Sequence, residues 1–113
     1  MHELSIAMSI VELAEEYAGK EHAEKVTELE IEVGDFSGVV IDALEFAMEE
    51  AVKESICQGA VWKIIPVHPL ARCGSCGHTY HPDSLFQPCP ACGGYGAEIL
   101  QGEELRLRSI LVE

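Results

Sequence analysis

Four cysteines stand in two pairs, with two residues inside each pair and twelve between the pairs: Cys73, Cys76, Cys89 and Cys92. Each pair can present two thiolates to one ion, and two pairs together can close a tetrahedron around it. A glycine follows each pair, at Gly77 and Gly93, where we expect a tight turn to aim backbone N–H groups at the sulfurs. The pattern predicts a tetrahedral metal site, with zinc as the expected ion, that organises about residues 72–98.

A site with four thiolate ligands leaves no open coordination position, so its expected role is structural rather than catalytic. Two disulfides are one alternative, and an iron site of the kind found in rubredoxin-like electron carriers is another. Paired cysteines in a chain with no visible export signal favour metal ligation in a reducing cytoplasm. His78 and His81 lie between the pairs; we interpret them as exposed loop residues, with ligation or proton sensing beside the ion as alternatives.

A second group of candidate ligands opens the chain: Met1, His2 and Glu3. We expect the bulky His2 to keep the initiator methionine in place, so that a free amine stands one residue from an imidazole. The amine, the amide nitrogen of His2 and its ring nitrogen can close adjacent chelate rings, and Glu3 adds a carboxylate or its own amide. Donor sets rich in nitrogen suit Ni²⁺ and Cu²⁺. On spacing alone, an ordinary histidine beside a methionine stays the alternative.

The charge balance excludes several functions. Twenty acidic residues against seven basic ones give a formal net charge of −13, which repels nucleic-acid phosphates. Between residues 64 and 105 the only basic side chain is Arg72, so a nucleic-acid-binding zinc ribbon is disfavoured. No hydrophobic run is long enough to span a membrane, and no nucleophile–base pair suggests an enzyme.

Hydrophobic periodicity predicts the elements that must position these groups. We expect helices over residues 4–18 and 42–56, the second capped by Asp42 with Glu45, and strands over 26–33, 60–67 and 105–112. These segments predict an α/β (α+β) fold, a small three-stranded sheet with two helices on one face and an inserted four-cysteine zinc domain.

Two faces of these elements lead to further predictions. The first helix has a second apolar stripe, so we expect burial on more than one side: Ile6, Ile10, Leu13 and Tyr17. Glutamates 28, 30 and 32 should meet Arg106 and Arg108 on the exposed face of the sheet. The unpaired Cys57 is expected to be a small buried hydrophobe.

The chain resembles the HypA/HybF family of hydrogenase maturation nickel chaperones in three features. They are Met1-His2-Glu3-Leu4 at the start of a helix, the Gly34-Asp35-Phe36-Ser37 turn, and the two cysteine pairs, in this order along the chain. The resemblance implies a nickel-binding α/β domain, residues 1–70 plus 99–113, and a zinc-binding insertion, residues 71–98. It further implies that His2 is the principal nickel ligand, assisted by the Met1 amine and Glu3, and that the four cysteines hold zinc.

The resemblance also implies transfer rather than catalysis. The protein would take Ni²⁺ from a nickel-loading GTPase and deliver it to the large-subunit precursor of a [NiFe] hydrogenase, with urease as a further recipient and a homodimer permitted. Some family members use an acidic ligand after the turn, but the aligned residue here is Val40, which cannot ligate. Asp42 and Glu45 are nearby substitutes. The alternative function is a zinc-ribbon adaptor without a nickel role.

Overall fold

The computed structural model describes residues 3–113 and follows the predicted order of elements. Its helices and strands are α1 Glu3–Lys20, β1 Val26–Gly34, α2 Ile41–Ala51, β2 Val61–Val67, β3 Leu70–Arg72, β4 Thr79–Tyr80, β5 Glu98–Gln101 and β6 Leu105–Val112. The predicted fold, two helices on a three-stranded sheet with a cysteine-rich insertion, is confirmed. No helix within residues 3–113 is long and apolar enough to cross a membrane.

The larger sheet has β1 at its centre, in the order β2-β1-β6. β2 runs parallel to β1 because α2 forms the crossover between them, whereas β6 returns antiparallel after the insertion. The strict alternation in β1 turns Leu29, Ile31 and Val33 into the core and leaves the glutamates on the other face. Each fully buried aliphatic side chain contributes roughly 1.5–3 kcal/mol to stability.

Both helices cover the apolar face of this sheet and share one core with it. α1 contributes a stripe of buried small residues, Ala7, Val11, Ala14 and Ala18, which allows close approach to α2. α2 contributes Leu44 and Met48, which are both fully buried. Cys57 is also fully buried in this core, which confirms its predicted role as a small hydrophobe.

The start of α2 differs from the prediction. Its N-cap is Val40, and no side chain caps the helix there, so the expected pairing of Asp42 with Glu45 as a capping box is wrong. Asp42 lies instead in the first turn, where its negative charge faces the positive end of the helix dipole.

The end of α2 also comes earlier than expected, at Ala51 rather than near residue 56. The Ser55 hydroxyl donates to the Val52 carbonyl at 2.7 Å, and Glu54 adopts a positive φ of 59°. A side chain that bonds to the local backbone competes with helix continuation, and a left-handed residue ends it. The segment therefore turns instead of adding another helical turn.

The charged face of the sheet forms only in part as predicted. Glu32 lies opposite Arg106 and accepts two hydrogen bonds from its guanidinium, both at 3.2 Å. A bulge between Glu30 and the next residue shifts the register, so Glu30 faces Ser109 and accepts from its hydroxyl. The predicted pairing is confirmed for Arg106 and wrong for Arg108, because the alternation that places both arginines opposite glutamates assumes an unbroken ladder.

The insertion forms a second three-stranded antiparallel sheet, in the order β4-β3-β5. This sheet reaches from residue 70 to residue 101, slightly beyond the segment 71–98 expected for the zinc domain. The connections to the larger sheet are short, residues 68–69 and 102–104. Pro66 lies inside β2, where it is tolerated because β2 is an edge strand.

The two sheets meet where the turn after β1 lies against the returning chain. The Gly34 N–H donates to the Glu104 carbonyl and the Phe36 N–H to the Gly102 carbonyl, each at 2.7 Å. A Cβ atom at Gly34 would lie 2.0 Å from the Gly102 oxygen. Only glycine permits this approach, so the turn that opens with Gly34 is fixed to the base of the insertion.

Candidate metal centres

Each cysteine pair folds into the same short turn. The N–H of the first cysteine donates at 2.9 Å to the carbonyl five residues on, in both pairs. The N–H of the glycine after the second cysteine donates back to the first cysteine's carbonyl, at 3.0 and 2.8 Å. These glycines, Gly77 and Gly93, have φ of 77° and 74°, a conformation that residues with a Cβ rarely adopt. The two pairs are thus equivalent units facing each other.

The turns bring the four sulfurs into one cluster, with all ligand atoms within 4.8 Å of one another. The shortest separations cross between pairs, 3.6 Å from Cys73 to Cys92 and 3.7 Å from Cys76 to Cys89. A tetrahedral zinc with Zn–S distances of about 2.3 Å requires sulfurs about 3.8 Å apart, so the donor set fits zinc. A disulfide needs about 2.05 Å, and all four cysteines are free.

Backbone N–H groups donate to three sulfurs at 3.4 Å: Ser75 to Cys73, Ala91 to Cys89 and Gly94 to Cys92. The expectation that the tight turns aim backbone N–H groups at the sulfurs is confirmed, although the N–H groups of Gly77 and Gly93 themselves close the turns through carbonyl oxygens. In each turn the donor is instead the second residue after a cysteine. Such donors orient thiolates and stabilise their charge.

The electrostatics of the cluster favour a bound cation. The backbone N–H groups of Cys76 and Ser75 lower the pKa of Cys73 to about 6, so its thiolate forms readily. The Gly94 N–H lowers the pKa of Cys92, but the neighbouring sulfurs of Cys73 and Cys76 act the other way and the net effect raises it to about 12. Several thiolates in contact oppose further ionisation, and a divalent cation removes this opposition.

The two loop histidines lie outside this cluster. The His78 ring stacks on Tyr80, with centroids 6.2 Å apart and an interplanar angle of 9°. His81 donates from Nδ1 to the Pro69 carbonyl at 2.8 Å, which ties the insertion to its own base. Within residues 3–113, the potential metal ligands that cluster are the four cysteines alone.

Of the predicted nickel ligands, Met1 and His2 lie outside the described residues. Glu3 begins α1, and its carboxylate accepts a hydrogen bond of 3.4 Å from the Val40 N–H. The start of α1 therefore lies beside the start of α2, the segment in which the resemblance places a further acidic ligand. Val40 itself is 61% exposed and apolar, and Asp42 is in the adjoining turn.

The sequence model of a family described as "Hydrogenase/urease nickel incorporation, metallochaperone, hypA" matches residues 1–112. Hydrogenase maturation factor HypA of Parabacteroides distasonis is 47% identical over 115 residues, which cover all of this chain and 98% of the relative. The factor of the same name from Geobacter metallireducens is 43% identical over 113 residues and covers both chains completely. The chain belongs to the HypA family.

The folds of HypA proteins agree with this assignment. The solution structure of the Ni metallochaperone HypA from Helicobacter pylori matches 99% of this chain and 97% of its own, with a TM-score of 0.74 and 31% identity. A second solution structure of a HypA protein gives a TM-score of 0.76 at 30% identity, over 100% and 97% of the two chains. This HypA chain is thus a member of a family of nickel-incorporation metallochaperones and hydrogenase maturation factors.

Two features of the centres escaped sequence reasoning. The contact between Glu3 and Val40 joins residues 37 positions apart, and no periodic pattern signals it. The N–H donors at Ser75, Ala91 and Gly94 had a usable signal, because both cysteine pairs place small residues there; sequence reasoning predicted the tight turns but did not name these donors.

Proposed function

We propose that this HypA chain binds Ni²⁺ at its N-terminus and delivers it during maturation of the [NiFe] hydrogenase large subunit. The observation that supports this most is the match of residues 1–112 to a family described by nickel incorporation. That description also names urease, so urease is included as a second recipient.

The proposed nickel donors are the Met1 amine, the amide and ring nitrogens of His2, and Glu3. The carboxylate of Glu3 already accepts the Val40 N–H, which favours the backbone amide of Glu3 as its donor. A few nitrogen donors at a chain terminus can bind and release an ion faster than a closed cage. Because binding displaces protons from the amine and imidazole, nickel affinity is expected to fall steeply in acid.

In the proposal, zinc is held by the four cysteines as a structural ion. The spacing of the sulfurs and the N–H groups that face them support this assignment. The small second sheet buries only four residues in its own core, Ala71, Cys73, Tyr80 and Cys89, so the ion supplies stability that this core cannot. With four sulfur ligands it has no site for substrate.

The proposed partners are a nickel-loading GTPase, from which the ion is taken, and the hydrogenase large-subunit precursor, which receives it. A net charge of −13 favours encounter with basic surfaces on such partners. Thiolates that hold zinc require a reducing compartment, so we place the protein in the cytoplasm.

A nickel titration of the zinc-loaded, tag-free chain tests the proposal, measured by competition with a chromophoric chelator. One tightly bound nickel per chain is expected in the native protein. A His2→Ala variant, and a variant with one glycine inserted before His2, are expected to lose it. A Glu16→Gln variant serves as the control, because Glu16 is an exposed carboxylate of α1, more than three helical turns from the proposed donors. Equal tight binding by all four proteins would refute the N-terminal site and place nickel elsewhere on the chain, whereas no binding by the native protein would favour a zinc-ribbon adaptor without a nickel role.

A further inference from the structure

The second apolar stripe of α1 is not covered as its sequence leads one to expect. The stripe consists of Ile6, Ile10, Leu13 and Tyr17. Ile10 is buried, Ile6 and Leu13 are only half-buried, and Tyr17 is 44% exposed. The opposite stripe of small residues is fully occupied by the core. One apolar side of α1 therefore has no complete partner within residues 3–113.

This stripe forms one wall of a groove of about 570 Å³, and β6 forms the other. Ile6, Leu13 and Tyr17 line it from the helix, and Leu105 and Leu107 line it from the strand. The groove therefore lies between α1 and the terminal strand of the larger sheet.

The outer edge of β6 is open. The order β2-β1-β6 makes β6 a terminal strand, with no strand partner on that side in the part of the chain that the structure describes. The opposite edge strand, β2, contains Pro66, which removes a donor and protects an edge from pairing. β6 has no proline over residues 105–112. The N–H and C=O groups on the outer edge of β6 can form a regular ladder only with an extended chain, so the expected occupant is extended.

Charge specifies the occupant further. Two of the chain's three arginines, Arg106 and Arg108, lie on β6. Arg106 pairs with Glu32, but the bulge displaces Arg108 from the glutamates, and it makes no ion pair within residues 3–113. Arg108 is therefore an unpaired positive charge on the terminal strand, and it is complementary to an acidic side chain directly opposite it on an added strand.

We propose that β6 and the second stripe of α1 form a docking site for an extended segment of a partner protein in which apolar and acidic residues alternate. The segment adds to the sheet as a fourth strand beside β6. Its apolar side chains enter the groove under Leu13 and Tyr17, and its acidic side chains lie next to Arg108 on the opposite face. Alternation of period two supplies both contacts from one strand.

The test uses a synthetic peptide of sequence VTELEIEV with blocked ends. It copies residues 26–33, the strand that already pairs with the inner edge of β6. The ¹⁵N-labelled, zinc-loaded chain is titrated with this peptide, and amide shifts and hydrogen exchange are followed by NMR. We expect saturable shifts in β6 and α1, and slower exchange of those β6 amides that do not bond to β1.

Two charge reversals separate the proposed contact from a general charge effect. Arg108→Glu is expected to weaken peptide binding about fivefold, because an attractive cross-strand pair becomes a repulsive one. Lys53→Glu changes the net charge equally, but Lys53 lies just after the end of α2, exposed and paired to Glu50, and this variant is expected to leave binding unchanged. Circular dichroism checks that both variants keep the fold.

Four results would overturn the proposal. The first is no binding, which would mean that the arginines protect the edge strand from pairing. The second is equal binding of a peptide with lysines in place of the glutamates. The third is binding without protection of β6 amides, which describes a ligand of the groove that adds no strand. The fourth is protection of β6 amides that rises with the concentration of the chain alone, which would make a second copy of this chain the occupant.

Discussion

Replacement of Gly34 by alanine is predicted to destabilise the protein strongly. The added Cβ would lie 2.0 Å from the Gly102 oxygen, 2.2 Å from its carbonyl carbon and 2.7 Å from the Glu103 nitrogen. All three are backbone atoms, so no side-chain rotation can relieve the contact. Overpacking typically costs about 1–3 kcal/mol. The added atom forces two backbone segments apart and weakens the hydrogen bond from the Gly34 N–H to the Glu104 carbonyl. We therefore expect the free energy of unfolding to fall by about 3 kcal/mol, the upper end of that range.

The assay is denaturant unfolding of the zinc-loaded protein followed by the fluorescence of Trp62, the single tryptophan, which lies on β2 in the larger sheet. Gly19→Ala is the matched control, because a Cβ at Gly19 meets nothing within 4 Å. In the last turn of α1 this control is expected to stabilise by up to about 1 kcal/mol. A loss below about 1 kcal/mol for Gly34→Ala, well short of the overpacking range, would refute the claim that this glycine fixes the junction.

Three further outcomes are expected. Removal of zinc by a chelator, or Cys73→Ser, should abolish the small sheet while the fluorescence of Trp62 keeps its native value, because the larger core lies elsewhere. Burial, followed by the charge of a nearby carboxylate, raises the pKa of Cys57; at pH 8 its thiol should therefore resist alkylation in the native state and react after unfolding, as mass spectrometry would show. The pair of Arg106 with Glu32 should show a coupling of about 0.2–1 kcal/mol in a double-mutant cycle of stability, because the arginine is 63% exposed; a coupling several times larger would contradict this.

The parts of the fold that follow from local patterns were predictable from the sequence. The alternation in residues 26–33 located β1 and its buried face, and the four cysteines located the metal cluster, because both depend on spacing along one segment. The early end of α2 depends on the Ser55 contact with its own backbone, which overrides the helical pattern.

Other features depend on residues that are distant in the sequence. The bulge that removes Arg108 from the glutamates is set by pairing between strands, and a strand's own alternation does not reveal it. Gly34 contacts Gly102 only because the chain returns, after the insertion, to the place where the insertion begins. The nickel ligands Met1 and His2 remain predictions from the sequence and the resemblance.

The most direct test of the central claim is X-ray absorption at the nickel edge of the zinc-loaded chain with one equivalent of Ni²⁺. A terminal chelate of Met1, His2 and Glu3 predicts a first shell of nitrogen and oxygen donors without sulfur, and an imidazole signature that disappears in His2→Ala. A sulfur shell around nickel would place the ion among the four cysteines instead. That result would contradict the assignment of nickel to the N-terminus and of zinc to the cysteines.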